Sequence, residues 1–186
     1  MMFLNIYEFF REIFEIAVVS FAVAFIFKDY FEKPKMLDLL DERKRILSDG
    51  FYKALIYVAP AIIVHELAHK FVAISFGYEA TFHAAYFWLF VGVVLKLLNF
   101  PFIFLVPAYV SIPGNATNLA AFFIAIAGPL SNLLMFLSTY YLVKKTKNPE
   151  WYAFGIINFW LFIFNMIPLP GFDGFKAIVS LWQIIF

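Results

Sequence analysis

The stretch AIIVHELAHKFVAISFG, residues 61–77, contains two histidines, a glutamate and a lysine in a mostly apolar run. His65 and His69 are four residues apart, so in a helix both imidazoles lie on one face, one turn apart, where they can bind the same metal ion. Glu66 then lies beside that metal without binding it. A zinc ion lowers the pKa of a bound water to about 7, and a nearby carboxylate can take the remaining proton and pass it to a leaving amine. The motif therefore predicts metalloprotease chemistry.

A catalytic zinc ion usually has three protein ligands and one open position, so the motif needs a third ligand. After His69 the chain offers the acids Glu79, Glu150 and Asp173 and one histidine, His83. Glu150 lies in the polar stretch KKTKNPE, which is typical of a solvated turn. Glu79 and His83 follow the motif closely and could reach the zinc only if the chain folded back. Asp173 lies in an apolar element broken by prolines and glycines, and irregular backbone at membrane depth is tolerated where it is buried in protein or lines a cavity. An acid in that place needs a partner, and a zinc ion would serve.

The composition is that of an integral, multi-pass membrane protein surrounded by the lipid bilayer. Hydrophobic residues make up 64% of the 186 residues and charged residues 15%, the mean hydropathy is +0.85, and an ordinary soluble domain is roughly 45–50% apolar. The net charge of +1 and the absence of cysteine indicate no nucleic-acid partner, no disulfide and no thiolate ligand. We expect one intramembrane domain over residues 1–186, with its oligomeric state left open.

The hydrophobic pattern predicts an all-α polytopic membrane protein, a helical bundle, in three parts. Residues 9–31 form a first membrane helix, residues 32–50 an amphipathic surface segment, and residues 51–186 the catalytic core. Within the core, a second membrane helix over residues 51–76 carries the histidines, with Pro60 as a kink. A long apolar helix over residues 119–143 is interrupted only at AGPLSN, and the last membrane helix is broken at NMIPLPGFDG, where proline and glycine are dense.

The segment between residues 77 and 118 must connect these helices in a way that brings Asp173 to the histidines. Both ends of the segment then lie on one membrane face, so the segment either re-enters that face or crosses twice. The break at Asn99, followed by Pro101, and the short apolar stretch 84–98 favour a re-entrant helix. Alternating β-formers around residues 104–112 favour a strand. Such a strand could pair with an unwound substrate, and a simple gap-filling hairpin fits the same pattern.

Three motifs, HELAH, AGPLSN and NMIPLPGFDG, occur in this order and together resemble those of the site-2 protease family of intramembrane zinc metalloproteases. The resemblance covers residues 51–176. It implies one Zn²⁺ ion bound by His65, His69 and Asp173, with Glu66 as the catalytic residue that activates water. Phe172 stands where leucine is commoner in that family.

The same resemblance assigns roles to two asparagines. Asn165 opens the third motif, and Asn132 belongs to the second. Both are implied to bind the substrate backbone or the developing oxyanion. A plain interhelical hydrogen bond suits Asn132 as well, because amides commonly join membrane helices.

The function that the resemblance implies is regulated intramembrane proteolysis in the cell membrane, in which a peptide bond within or near a membrane-spanning segment of a protein substrate is hydrolysed. One alternative is a CAAX-type membrane zinc protease, which normally takes a glutamate from a later helix as third ligand. Another is a non-catalytic membrane zinc-binding adaptor, which would not need Glu66. The basic loops favour an active site at the outer face, whereas the resemblance implies the cytoplasmic face, and we favour the latter.

Overall fold

The computed structural model of the chain describes residues 6–32, 48–100, 106–112, 114 and 116–186. These residues are mostly helical and divide into two compact units, Met1–Pro60 with Ala84–Pro107, and Ala61–His83 with Ala108–Phe186. The expectation of one domain over residues 1–186 stays a prediction. In chain order the elements are α1 (Ile6–Phe27), a 3-10 helix (Lys28–Phe31), α2 (Asp49–Tyr57), α3 (Ala59–Ser75), β1 (Thr81–Ala84), α4 (Tyr86–Leu97), β2 (Ala108–Ser111), α5 (Asn118–Thr146), α6 (Trp151–Asn165) and α7 (Asp173–Ile185).

In the first unit, α1 packs against α2 and α4. Its buried side chains, Glu15, Val19, Val23, Ala24 and Ile26, lie on one face of the helix. The predicted helix over residues 9–31 therefore appears as α1 and the short 3-10 helix. That it crosses a membrane stays a prediction. Most of the predicted amphipathic segment, residues 33–47, lies outside the described residues.

The predicted second membrane helix contains a break at Val58, where α2 has ended and α3 has not begun. Pro60 lies in the first turn of α3. Proline has no N–H to donate to the carbonyl of Ile56 four residues earlier, and it is well tolerated at the start of a helix. At the place where a kink was predicted at Pro60, the structure has a break at Val58, two residues before the proline.

In the second unit, α5 packs against α6 and α7. It runs without interruption for 29 residues and contains Pro129, so the prediction that AGPLSN interrupts this helix was wrong. The proline removes a single backbone hydrogen bond, which the packing on both sides of it outweighs. Thr117 begins the helix by accepting a hydrogen bond at its side chain from the N–H of Ala120.

The two strands form one small sheet. The N–H of Ala85 donates to the carbonyl of Pro107 over 3.0 Å, and the rings of His83 and Tyr109 stack at 5.2 Å, which is an antiparallel register. β2 lies within the strand predicted around residues 104–112, of which 104 and 105 are outside the described residues. β1 was not predicted. The helix α4 occupies the short apolar stretch that we expected to re-enter the membrane, and the re-entry itself stays a prediction.

Two helical stretches of the described residues, Asp49–Ser75 and Asn118–Thr146, are long and apolar enough to cross a membrane. Two further apolar helices are shorter, Tyr86–Leu97 and Trp151–Asn165. Large apolar side chains on these elements are solvent-exposed in the isolated chain, among them Phe90 at 67% and Leu134 at 68%.

Candidate metal centre

Three side-chain atoms converge in the second unit: Nε2 of His65, Nε2 of His69 and Oδ2 of Asp173. The two nitrogens are 3.1 Å apart, and the carboxylate oxygen lies 3.2 Å from the first and 3.1 Å from the second. Ligand atoms in a tetrahedral zinc site with bonds of about 2.0–2.1 Å are about 3.3 Å apart. All three residues are buried. The group therefore has the spacing of three zinc ligands around one point.

The two histidines come from consecutive turns of α3, and the aspartate is the first residue of α7. The chain reaches Asp173 through the proline-rich break after α6, where Gly171 adopts a positive φ of 102° that other residues rarely accept. Gly174 lies so close to the carbonyl of Met166 that a Cβ there would be 2.4 Å from its oxygen. Glycine at 174 therefore lets α7 begin against the end of the preceding helix, which fixes the position of the carboxylate.

Hydrogen bonds to the far side of each imidazole set its tautomer. Nδ1 of His69 lies 2.6 Å from the carbonyl oxygen of Ile124, and a carbonyl can only accept, so this nitrogen carries the proton. Nδ1 of His65 lies 2.6 Å from Oδ1 of Asn132 and donates to it in the same way. Both Nε2 atoms of the neutral rings are then left with lone pairs, which is the form in which histidine binds a metal.

The orientation of Asn132 is itself fixed by two further bonds. Its Nδ2 donates to the carbonyl of Ala61 over 3.0 Å and to Oδ1 of Asn158 over 2.8 Å, so the amide oxygen must face His65. Asn158 donates in turn to the carbonyl of Phe154 over 2.8 Å. Both asparagines are fully buried, and the chain of bonds joins α3, α5 and α6. Both amide hydrogens of Asn132 are engaged, which favours the interhelical hydrogen-bond interpretation of this residue.

The donor set fits a zinc ion. Two imidazole lone pairs and a carboxylate oxygen point at one place with no proton between them. These three electron-rich atoms repel one another unless a cation lies between them. The other carboxylate oxygen, Oδ1 of Asp173, accepts a hydrogen bond from Nζ of Lys176 over 3.2 Å, which turns Oδ2 toward the histidines. A mixed nitrogen and oxygen set of this kind is one that zinc prefers.

The backbone of α5 passes directly over the histidines at Gly128. A Cβ added there would be 2.3 Å from Nε2 of His69 and 2.6 Å from Nε2 of His65, so any larger residue would press on the ligand atoms themselves. Sequence reasoning missed Gly128, Asn158 and Lys176. The available signals were a glycine in the second motif, an amide in the middle of the apolar helix WYAFGIINFWLFIFN, and a lysine one turn after the aspartate.

Glu66 is adjacent to the metal group but does not belong to it. It is half-buried on α3, directly after His65 in the chain, while the group of potential ligands consists of the two histidines and the aspartate. This is the placement that the sequence predicts for a residue that acts on a metal-bound water.

The remaining predicted residues lie outside the group. Nδ2 of Asn165 donates to the carbonyl of Leu161 within α6 over 2.9 Å, and its role toward substrate stays a prediction. His83 contacts Oγ of Ser111 at 3.0 Å in the sheet, and Glu150 precedes α6 as its N-cap residue. Of the alternatives for a third ligand, the structure brings Asp173 to the histidines.

A helix that carries two histidines and a glutamate, completed by an aspartate from a distant helix, defines a metalloprotease type of site. The chain is 34% identical over 184 residues to "Putative zinc metalloprotease MJ0611" of Methanocaldococcus jannaschii, which covers 94% of this chain and 88% of that protein. It is 30% identical over 141 residues to "Putative zinc metalloprotease YwhC" of Bacillus subtilis, with 63% of this chain and 64% of that protein covered. No protein-family profile and no solved structure matches the chain. The chain belongs to this family of zinc metalloproteases.

Proposed function

We propose that the protein is an intramembrane zinc metalloprotease of the site-2 type, which hydrolyses a peptide bond within or near a membrane-spanning segment of a protein substrate. The observation that carries the proposal is the convergence of His65, His69 and Asp173 beside Glu66. The two histidines also lie within Asp49–Ser75, a stretch able to cross a membrane. Ionisable residues at such depth are costly and mark functional sites.

In this proposal the two histidines and Asp173 hold one zinc ion, which when bound supplies a Lewis acid and lowers the pKa of a coordinated water. Glu66 takes the proton of the attacking water and returns it to the leaving amine. Asn132 and the carbonyl of Ile124 keep both imidazoles in the tautomer that presents Nε2. Burial of the group keeps bulk water away, so the charges act in a low dielectric.

The position of the third ligand supports the site-2 type over a CAAX-type enzyme. A CAAX-type enzyme would use a glutamate from a later helix. The described helices α5, α6 and α7 contain no glutamate, and Asp173 occupies the third position. The retained Glu66 is likewise superfluous in an adaptor whose zinc ion is only structural.

The small sheet supports a way of presenting the substrate. A helical segment hides its amides in internal hydrogen bonds, so it must become extended before a peptide bond can be attacked. An extended segment can add to a strand edge through main-chain hydrogen bonds. The side chains of Tyr109 and Ser111 on β2 are exposed, and we infer that this strand receives the substrate.

The proposal is tested with purified protein in proteoliposomes that also contain a panel of single-span membrane substrates, with matched soluble peptides offered in parallel. We expect zinc-dependent cleavage of a membrane substrate, and loss of cleavage with retention of zinc in Glu66→Gln, because the amide keeps the shape of the side chain but cannot accept the proton. Cleavage of the soluble peptides alone would reject the intramembrane assignment. Normal cleavage by Glu66→Gln would remove Glu66 from the mechanism.

A further inference from the structure

α1 contains a buried carboxylate that the proposed chemistry does not use. Glu15 is only 6% exposed, and it begins the buried stripe of that helix. Its Oε2 accepts a hydrogen bond from the backbone N–H of Ala84 over 2.8 Å, and Ala84 belongs to the same compact unit. Nε of Arg11 lies 4.0 Å from the other carboxylate oxygen. A carboxylate placed in an apolar interface is costly unless such contacts offset the loss of water.

The register of the sheet shows which way that N–H points. Ala84 is the last residue of β1, and the next residue, Ala85, donates across the pair to Pro107. In an antiparallel pair, residues turn alternately toward the partner strand and away from it. The N–H of Ala84 therefore points away from β2, at the outer edge of β1, and the carboxylate of Glu15 covers that edge at this position.

We propose that Glu15 is a positioning residue that caps the outer edge of β1 and leaves β2 as the strand to which an extended substrate adds. This inference rests on the proposed function. A charged acceptor makes a stronger bond to a backbone N–H than a neutral one, and proteins commonly use charged side chains to keep sheet edges from pairing wrongly.

The register assigns complementary roles to the two strands. By the same alternation, the N–H of Val110 on β2 points away from β1. A capped outer edge on β1 and outward amides on β2 give an extended substrate one direction of approach. Loss of the contact would also free this end of β1, against which β2 is paired, so it should weaken substrate binding and leave the chemical step unchanged.

The test compares three variants for zinc content, KM and kcat on a membrane substrate. Glu15→Met keeps the volume but removes the acceptor. Because the lost bond lies within the protein and not to the substrate, KM should rise by no more than about tenfold, the lower value of a hydrogen bond to a charged group, with kcat within about twofold. Glu15→Gln keeps an acceptor oxygen and should restore most of the affinity. Glu8→Met changes an exposed acid of the same helix and serves as the matched control.

Amide hydrogen exchange of the segment that contains Ala84 provides a second readout that needs no substrate. Exchange there should accelerate in Glu15→Met and stay slow in Glu15→Gln and Glu8→Met. If the methionine variant does not fold, Glu15→Asp carries the test, because it keeps the charge beside Arg11 but withdraws the oxygens by one methylene.

The outcomes separate this inference from the proposed function. Faster exchange at Ala84 with raised KM supports the inference. The inference is overturned if a folded variant that has lost the contact shows the wild-type exchange rate at Ala84 and the wild-type KM. This holds even when the enzyme cleaves membrane substrates normally. An equal fall of kcat and zinc content would also overturn it, because the effect would then lie in the metal site. Absence of cleavage of every substrate by the wild type would reject the proposed function, and altered exchange at Ala84 would still report the contact.

Discussion

Replacement of Gly128 by alanine tests how tightly the metal group is enclosed. The added Cβ would lie 2.3 Å from Nε2 of His69 and 2.6 Å from Nε2 of His65, whereas ordinary contacts between such atoms are about 3.5–4.0 Å. One of the imidazoles or the backbone of α5 must therefore move by about 1 Å. Functional side chains work when held within about 0.5 Å of their place. We expect zinc affinity to fall about 10- to 100-fold, as when supporting contacts of a metal ligand are lost.

The assay is competition for zinc between the purified protein and a chelator of known affinity, together with the zinc content after dialysis. Gly155→Ala is the matched control, because a Cβ there would be 2.6 Å from Oγ1 of Thr139, a similar overlap between α5 and α6 away from the metal group. We expect this control to lower thermal stability and leave zinc affinity unchanged. Equal zinc affinity in Gly128→Ala and the wild type would refute the reasoning, because zinc binding would then tolerate displacement of the Nε2 atoms of His65 and His69.

Three further substitutions probe the ligand, its support and the strand. Asp173→Asn keeps the size but removes the charge, so zinc affinity and activity should fall together while His83→Ala leaves zinc content intact; the reverse pattern would assign the third ligand to His83. Asn158→Leu should cost about 1–3 kcal/mol in unfolding free energy, because an amide hydrogen of Asn132 loses its buried partner, and it should also weaken zinc binding; unchanged values for both would show that Asn132 is held without it. Val110→Pro removes an amide that points outward from the sheet, so it should raise KM with zinc content unchanged; a wild-type KM would reduce β2 to packing.

The metal group could be predicted from the sequence because its residues carry their own signals. Two histidines at helical spacing specify one face of a helix whatever surrounds them, and Asp173 was conspicuous as an acid among prolines and glycines in an apolar element. Because a catalytic zinc ion usually has three protein ligands, the two histidines predicted a third ligand elsewhere in the chain, and Asp173 was the best candidate. Helices rich in apolar residues were found for the same reason, since their pattern is long and repeats.

The parts that were missed depend on contacts between elements. Nothing local distinguishes Asn158 from any amide in a helix until its partner Asn132 is seen across the interface. The role of Gly128 exists only because another helix carries its histidines to that point. β1 has four residues, too few for a periodic pattern, and it becomes a strand because β2 lies beside it. The continuity of α5 through Pro129 follows from packing along the helix and overrides the local preference for a break.

The ligand atoms come from α3 and α7, whose contributions are 104 residues apart in the chain between His69 and Asp173. An ion bound by both helices is a crosslink between them, and it can form only after the intervening chain has folded. Its binding free energy therefore adds to the free energy that holds α7 in place, by about 4 kcal/mol at a free zinc concentration a thousandfold above Kd. If the proposed zinc ion is bound, its removal by a chelator should therefore expose α7 to added protease before the rest of the second unit.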